Sequence, residues 1–346
     1  MKAARMHKTG GPSVFKYEEI PLPKAKQGEF LVEVHSAGIN PVDIKIRRGK
    51  FKLFKAHLPA TIGRDIAGVV RGIGGKKGKS AFKIGDPVFG MLDYDRGAYA
   101  EYTIASPREI ARRPPKVTEK EAGALGVAAL TAWQGLFDHG RLKKGQRVLI
   151  HGAAGGVGHF AVQFAKAKGA IVVATASKRD QKWVQKLGAD QVIDFENERF
   201  EEHTGQIDVV LALVAGDTIK RSWGVLKPKG GVIISTLEVP DQAAARRHHA
   251  RGLRMLVTAK REQLEKIAAL VAEGRVKVMI DKVFSLRHVR EAHEYLEKGH
   301  VRGKVSLDTV PSWTDLELRE AATGKGPEAD LAVLASSNVS GFTPFI

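Results

Sequence analysis

From Val148 to Ala170 the chain reads VLIHGAAGGVGHFAVQFAKAKGA, an apolar strand-like stretch, a glycine-rich turn and an amphipathic helix in succession. That order suits a phosphate. Gly155 allows the backbone close to a pyrophosphate, Gly158 allows the helix to lie tight on the strand, and the helix N-terminus offers free N–H groups and a positive dipole end. Ala153 stands where the first glycine of the usual pattern would fall. The chemistry expected is dinucleotide binding. The next apolar run, VVATA, ends in Ser177-Lys178-Arg179, with no acid at the position that would take a ribose 2′-hydroxyl. Two cations and a hydroxyl there suit a 2′-phosphate, so NADPH is expected over NADH. Asp180 reads as the start of the following helix, where its charge complements the dipole.

These residues need a parallel sheet to carry them. After Gln146, apolar runs (RVLIHG, AIVVATAS, QVIDF, IDVVLALV, GGVIIST) alternate with helical patterns. This predicts βαβ units and an α/β fold with a Rossmann doubly wound parallel sheet covered on both faces. Upstream, residues 1 to about 115 are rich in β-branched and aromatic runs broken by Gly and Pro, which predicts a twisted, loop-rich β domain. Thr118 and Glu121 have capping-box spacing and open a helix expected to continue to about His139. Beyond RGLRMLVTA the pattern predicts a helix near Glu262 to Glu273, a strand at DKVFSL, a helix near Val289 to Lys298 and a last strand at GKVSLD. From Pro311 to Ile346 periodicity is lost and the segment reads as an irregular C-terminal tail.

Composition narrows the function classes. The 346 residues, 43% of them hydrophobic, suffice for two domains with buried cores. Cysteine is absent, which excludes disulfides, thiolate zinc sites and cysteine nucleophiles. A zinc site built from the 12 histidines and carboxylates has no spacing in its favour; His248, His249 and His293 read as solvated or capping residues. The net charge of +18 could draw nucleic acid, but the basic clusters at Lys76 to Lys79 and Arg246 to Arg254 have no interleaved aromatics on which bases would stack. No apolar stretch is long enough to cross a bilayer, and the first ten residues lack a signal-peptide core, so a cytoplasmic protein is expected.

The motifs AGINPVDIKIRRG, LPATIGRDIAGVV, GDPVFG, GAYAEY, LTAWQGL, HGAAGGVG, LGADQVIDF and HVRGKV follow one another in the order of a known family. Over about residues 1 to 310 the chain resembles the zinc-independent medium-chain dehydrogenase/reductases, in the branch of the zeta-crystallin-like quinone oxidoreductases and the plant enone (alkenal) reductases. The resemblance implies a Rossmann domain over residues 118–274, inserted in a GroES-like β-rich catalytic domain formed by 1–117 and 275–310. Zinc-dependent relatives carry a Cys in the first motif and a His-Glu pair in the second, where this chain has Asn40 and Arg64-Asp65. No metal is expected.

Carried over by motif, Ala154, Gly155, Gly156 and Val157 would hold the pyrophosphate and Ser177, Lys178 and Arg179 the 2′-phosphate. Phe195 falls where many relatives place a Tyr beside the adenine, and Val214 and Gly216 where backbone approaches the cofactor. Thr131 and Arg302-Gly303-Lys304 match positions lining the nicotinamide end. Lys45 follows NPVD as in the plant enone reductases, whereas zeta-crystallin-like members have a Tyr there. Asn40, Lys45 and Thr131 are the catalytic candidates: Asn40 to donate a hydrogen bond, Lys45 to contact the ribose or stabilise developing negative charge. Asp43 is read as an acceptor within its turn and not as a catalyst.

The reaction implied is hydride transfer from NADPH to a quinone or to the double bond of an α,β-unsaturated carbonyl, without zinc. A carbonyl or alcohol oxidoreductase of the same superfamily and a non-catalytic nucleic-acid-binding or structural relative stand as alternatives. The partner expected is a small-molecule quinone or enone, with neither membrane nor nucleic acid, and a homodimer is left open.

Overall fold

The computed structural model describes residues 1–51, 57–75 and 80–310. The lysine cluster at Lys76 to Lys79 and the tail from Pro311 lie outside the described residues. The N-terminal part supplies β1 (Lys2–Met6), β2 (Phe15–Glu19), β3 (Phe30–Ile39), helix α1 (Pro41–Arg47), β4 (Ala60–Thr61), β5 (Asp65–Ile73), β6 (Pro87–Met91), β7 (Tyr102–Ala105) and β8 (Ile110–Arg112). Alternation of buried and half-exposed residues along Phe30–Val34 is what a strand with one face on a core requires. Phe30, Val32 and Val34 accordingly join a cluster with Met6, Phe15, Ile66 and Tyr99.

The helix expected from Thr118 to His139 forms in pieces. Glu121 N–H donates to Thr118 Oγ1 at 3.3 Å and Thr118 N–H to the Glu121 carboxylate at 2.9 Å, so the capping box is present. It opens only α2 (Glu119–Gly123), followed by α3 (Gly126–Trp133) and a π-helical turn, Gln134–His139. A Cβ on Gly123 would lie 2.5 Å from Ser36 Oγ, and one on Gly126 would lie 2.5 Å from Asp65 Oδ1. The break between the two helices thus falls where the backbone runs against the β lobe.

Next come β9 (Arg147–His151), α4 (Gly158–Ala167), β10 (Ile171–Ala176), α5 (Gln181–Lys186), β11 (Gln191–Asp194), β12 (Val209–Ala212), α6 (Asp217–Ser222), β13 (Val232–Ser235), α7 (Gln242–Arg247), β14 (Arg251–Arg254) and α8 (Arg261–Ala272). Their strands form one six-stranded sheet in the order β11-β10-β9-β12-β13-β14, parallel throughout. Burial of every residue in β12 and β13 matches continuous apolar strands sandwiched between helices. The chain then returns: β15 (Ile280–Ser285), α9 (Val289–Glu297) and β16 (Lys304–Asp308) follow, and β16 pairs antiparallel with β3 in a seven-stranded sheet. Among the described residues no helix is long and apolar enough to cross a membrane.

Candidate functional site

A cleft of about 820 Å³ is lined by α1 and the loop after it, by α3, by the glycine turn after β9 and by the start of β16. The turn is built as the sequence requires. A Cβ on Gly158 would come within 2.3 Å of Gly152 O, and one on Gly156 within 3.2 Å of Lys304 Cδ, whereas Gly155 faces open space apart from Gly152 O at 3.5 Å. Gly155, Gly156 and Val157 line the cleft. The carbonyl of Ala154 is taken by Gly303 N–H at 3.0 Å. His159, buried one residue into α4, is held neutral by burial, its pKa lowered to about 4. Its Nδ1 lies 3.2 Å from Gly155 O, and its Nε2 receives Met279 N–H at 3.4 Å. Gly155 N–H is taken by Gly152 O at 3.2 Å, whereas those of Gly156 and Val157 make no backbone bond among the described residues, and an uncharged turn of this kind fits a pyrophosphate.

At the far end of β10 the cations are organised by the acid among them. Asp180, 6% exposed, accepts from Ser177 Oγ at 2.8 Å, from Arg179 Nε at 3.4 Å and from Arg302 Nε at 2.6 Å, and these donors outweigh burial to hold its pKa below the ordinary value. It does not cap α5 through its side chain. Arg302, expected at the nicotinamide end, lies here instead and also donates to Arg179 O at 2.9 Å. Arg179 reaches the carbonyl of His300. Lys178 is exposed, and Phe195 presents an apolar face that is 58% exposed at the end of β11. Val214 packs over Gly152, where a Cβ would meet its Cγ1 at 3.3 Å, and Gly216 N–H donates to Glu238 at 2.9 Å. The cleft wall there is Leu213.

The opposite end carries the polar centre. The ammonium of Lys304 lies 3.1 Å from Ile39 O, 2.5 Å from Asn40 Oδ1 and 3.0 Å from Asp65 Oδ2. Asn40 Nδ2 in turn donates to Asp65 Oδ2 at 2.9 Å, and Val127 N–H at the start of α3 donates to Asp65 Oδ1 at 2.5 Å. Asp65 therefore joins β5, α3, the cap of α1 and the start of β16. A Cβ on Gly38 or Gly126 would fall within 2.6 Å of its carboxylate, so only glycines fit around it. Asn40, read as a donor to the substrate or as a group fixing the nicotinamide ribose, is mostly committed to this network. Thr131 lines the cleft, but its hydroxyl donates to Val127 O at 2.6 Å, which leaves it an acceptor. Lys45 also lines the cleft, and its ammonium has no hydrogen bond or ion pair among the described residues.

Beneath this centre lies Asp43, whose burial sequence reading did not anticipate. Asp43 is fully buried; its Oδ2 accepts Asn40 N–H at 2.8 Å and Tyr99 O–H at 2.9 Å, and its Oδ1 has no partner among the described residues. Burial pushes its pKa up to about 6 against those two donors. Its role as an acceptor within the turn was the reading from sequence. His293, read as solvated or capping, is instead enclosed between Phe15 and Tyr99, 3.3 Å from Arg47 Nη1, and burial holds it neutral with a pKa near 3. Its apolar neighbours are distant in sequence, so no local signal marked it.

Two cleft cations were also missed. Arg254, read as part of a surface cluster, lines the cleft because β14 ends there. Arg64 is 2% exposed, lies with its guanidinium carbon 3.9 Å from the Tyr94 ring centroid and donates from Nε to Leu92 O at 2.8 Å. Its Nη1 is buried with no partner among the described residues, an arrangement that costs about 1–3 kcal/mol.

Residues 26–115 match the family described as alcohol dehydrogenase GroES-like domain, and residues 187–307 match that described as zinc-binding dehydrogenase. The chain is 35% identical over 324 residues to a quinone oxidoreductase of Pongo abelii, covering 89% of this chain and 97% of the relative. It is 36% identical over 323 residues to a 2-methylene-furan-3-one reductase of Solanum lycopersicum, covering 90% and 80%. The structure of the Escherichia coli quinone oxidoreductase complexed with NADPH superposes with a TM-score of 0.79 at 27% identity, covering 89% of this chain and all of that one (100%).

Proposed function

We propose, because this chain belongs to the medium-chain dehydrogenase/reductase superfamily, that it is an NADPH-dependent oxidoreductase acting without zinc on a quinone or on the double bond of an α,β-unsaturated carbonyl. The observation that carries the reading is the cation between Asn40 and Asp65. Where zinc-dependent relatives have metal ligands, the buried ammonium of Lys304 already takes the oxygens of Ile39, Asn40 and Asp65, in a chain without cysteine. A metal there would have to displace a buried positive charge.

NADPH, when bound, supplies a hydride from its nicotinamide; the protein's task is to orient the acceptor and stabilise the charge that develops. Gly155, Gly156 and Val157 would take the pyrophosphate, with Lys178, Arg179 and Ser177 around the 2′-phosphate. Asp180, neutralised by Arg179, Arg302 and Ser177, offers little to a ribose diol. Phe195 would pack on the adenine, Val214 and Gly216 would flank the cofactor, and Gly303 and Lys304 would border the nicotinamide end.

Charge developing on the substrate oxygen needs a donor that is still free. Lys304 has its three protons engaged, Asn40 keeps one N–H, and Thr131 has given up its proton. Lys45, on α1 in the cleft wall and without a hydrogen bond or ion pair among the described residues, is the group assigned to stabilise the enolate or hydroquinone oxygen. Thr131 serves as an acceptor. The final proton comes from water. Steady-state oxidation of NADPH with a panel of a quinone, an alkenal and a saturated aldehyde tests the reading. Turnover of the quinone or alkenal supports it; turnover of the aldehyde alone would make the enzyme a carbonyl reductase.

A further inference from the structure

The cleft has a charge pattern that a neutral quinone or alkenal does not use. Among the described residues its lining includes Lys45, Lys50, Arg64, Arg254 and Lys304 and not one Asp or Glu. The cofactor's phosphates account for charge near the glycine turn. They do not account for Arg64, which precedes β5 on the β lobe and sits against Tyr94, itself packed on Phe51 with ring centroids 5.0 Å apart. No carboxylate lies within ion-pair distance of Arg64 among the described residues. A buried guanidinium with one unbonded nitrogen is an unfinished site, and the group best matched to it is a planar anion.

We infer that the substrate carries a carboxylate, held by Arg64, at the end away from the carbonyl whose oxygen takes the developing charge. This deepens the proposed reductase reading and rests on it. Lys50, exposed at the mouth of the cleft, adds attraction for the anion on approach. Phe51, Val42 and Leu296 supply apolar wall for the carbon skeleton between the two polar ends. Electrophiles of this class are keto-enoic acids and carboxylated quinones.

Benzoylacrylate and its methyl ester share the same enone and differ in the charge. The ester is intrinsically the better electrophile, so a preference for the acid must come from the protein. The unmodified enzyme should favour the acid in kcat/KM by about tenfold or more, the factor that one charged hydrogen bond readily supplies. Arg64→Lys and Arg64→Met should lower that acid-to-ester ratio, mainly through the KM of the acid, while the KM for NADPH moves far less. Arg64→Lys decides the matter if the Met variant fails to fold, as judged by melting temperature. Equal or better turnover of the ester by the unmodified enzyme, a ratio that survives both substitutions, or a loss expressed only in the KM for NADPH would overturn the proposal. If neither compound is reduced, calorimetric binding of benzoylpropionate in the presence of NADP⁺ decides instead: binding that weakens in Arg64→Lys supports the carboxylate site, and no binding overturns it. The panel of neutral quinone and alkenal judges the reductase reading separately.

Discussion

Lys304 and Asp65 form an ion pair of 3.0 Å with side chains only 2% and 0% exposed, joining the last strand of the β lobe to its fifth. The pair is also the floor of the cleft, because Asn40 bonds to both members and Asp65 takes the N–H of Val127, the second residue of the helix that carries Thr131. Removing one partner leaves the other charge buried. Lys304→Met should destabilise the protein by about 3–5 kcal/mol. Adding Asp65→Asn, which removes the stranded charge, should recover part of that loss. Chemical denaturation of the two variants checks this, and a Lys304→Met protein as stable as the parent would contradict the network described.

Exhaustive chelation should leave activity unchanged if, as proposed, the buried Lys304 ammonium stands where zinc-dependent relatives hold their metal. Elemental analysis after chelation is the companion measurement. One tightly bound zinc per chain, with activity lost on its removal, would refute the zinc-free reading.

Replacing both Lys178 and Arg179 with Ala should reduce the preference for NADPH over NADH by at least about tenfold, each charged hydrogen bond to phosphate contributing roughly 1.5–3 kcal/mol. Arg302 should remain on Asp180 and retain part of the preference. The ratio of kcat/KM for the two cofactors reports the result; indifference in the unmodified enzyme would remove the basis of the assignment.

Asp43 gives a pH signature of definite sign. Its folded pKa of about 6 lies above the ordinary 3.8, so the native state binds the proton more tightly and this group's contribution is lost as pH rises from about 4 to 6. The full effect is about 3 kcal/mol. His151, His159 and His293 act in the opposite sense: burial lowers their pKa values to about 3, 4 and 3, so stability falls as pH drops below 6.5. The difference between parent and Asp43→Asn isolates the carboxylate. Relative to the parent, the variant should gain stability as pH rises from 4 to 6, read from thermal melts across that range.

Lys45 is tested by where hydride goes and by how fast. Deuteride from C4-labelled NADPH should appear on the β-carbon of an α,β-unsaturated ketone, with the α-hydrogen drawn from solvent. Lys45→Met keeps much of the stem and removes the charge, so kcat/KM should fall by one to two orders of magnitude, roughly the worth of one charged hydrogen bond. Label on the carbonyl carbon would identify carbonyl reduction, and an unchanged rate would make Lys45 a bystander.

The features legible in the sequence were those written in a short stretch of chain. Strand, glycine turn and helix from Val148 onward can be read because their signals are periodicity and backbone geometry within about twenty residues, and the order of βαβ units follows from the same local pattern. Total absence of cysteine disposed of thiolate chemistry with no structure at all. What local pattern overstated was the helix from Thr118 to His139: its apolar period continues, but close approach of the β lobe at Gly123 and Gly126 divides it.

The partnerships of the site were decided only by the tertiary structure. Lys304 meets Asp65 from 239 positions away and Arg302 meets Asp180 from 122, because β16 returns to pair with β3 and brings the preceding loop against the glycine turn and the end of β10. A sequence names the charges but not their separations, and in a buried site the separation determines whether a cation is spent, as Lys304 is, or left without a partner among the described residues, as Lys45 and one nitrogen of Arg64 are. The types of residue in the cleft were therefore apparent from the chain, while the division between structural charges and those available to a substrate was fixed by folding.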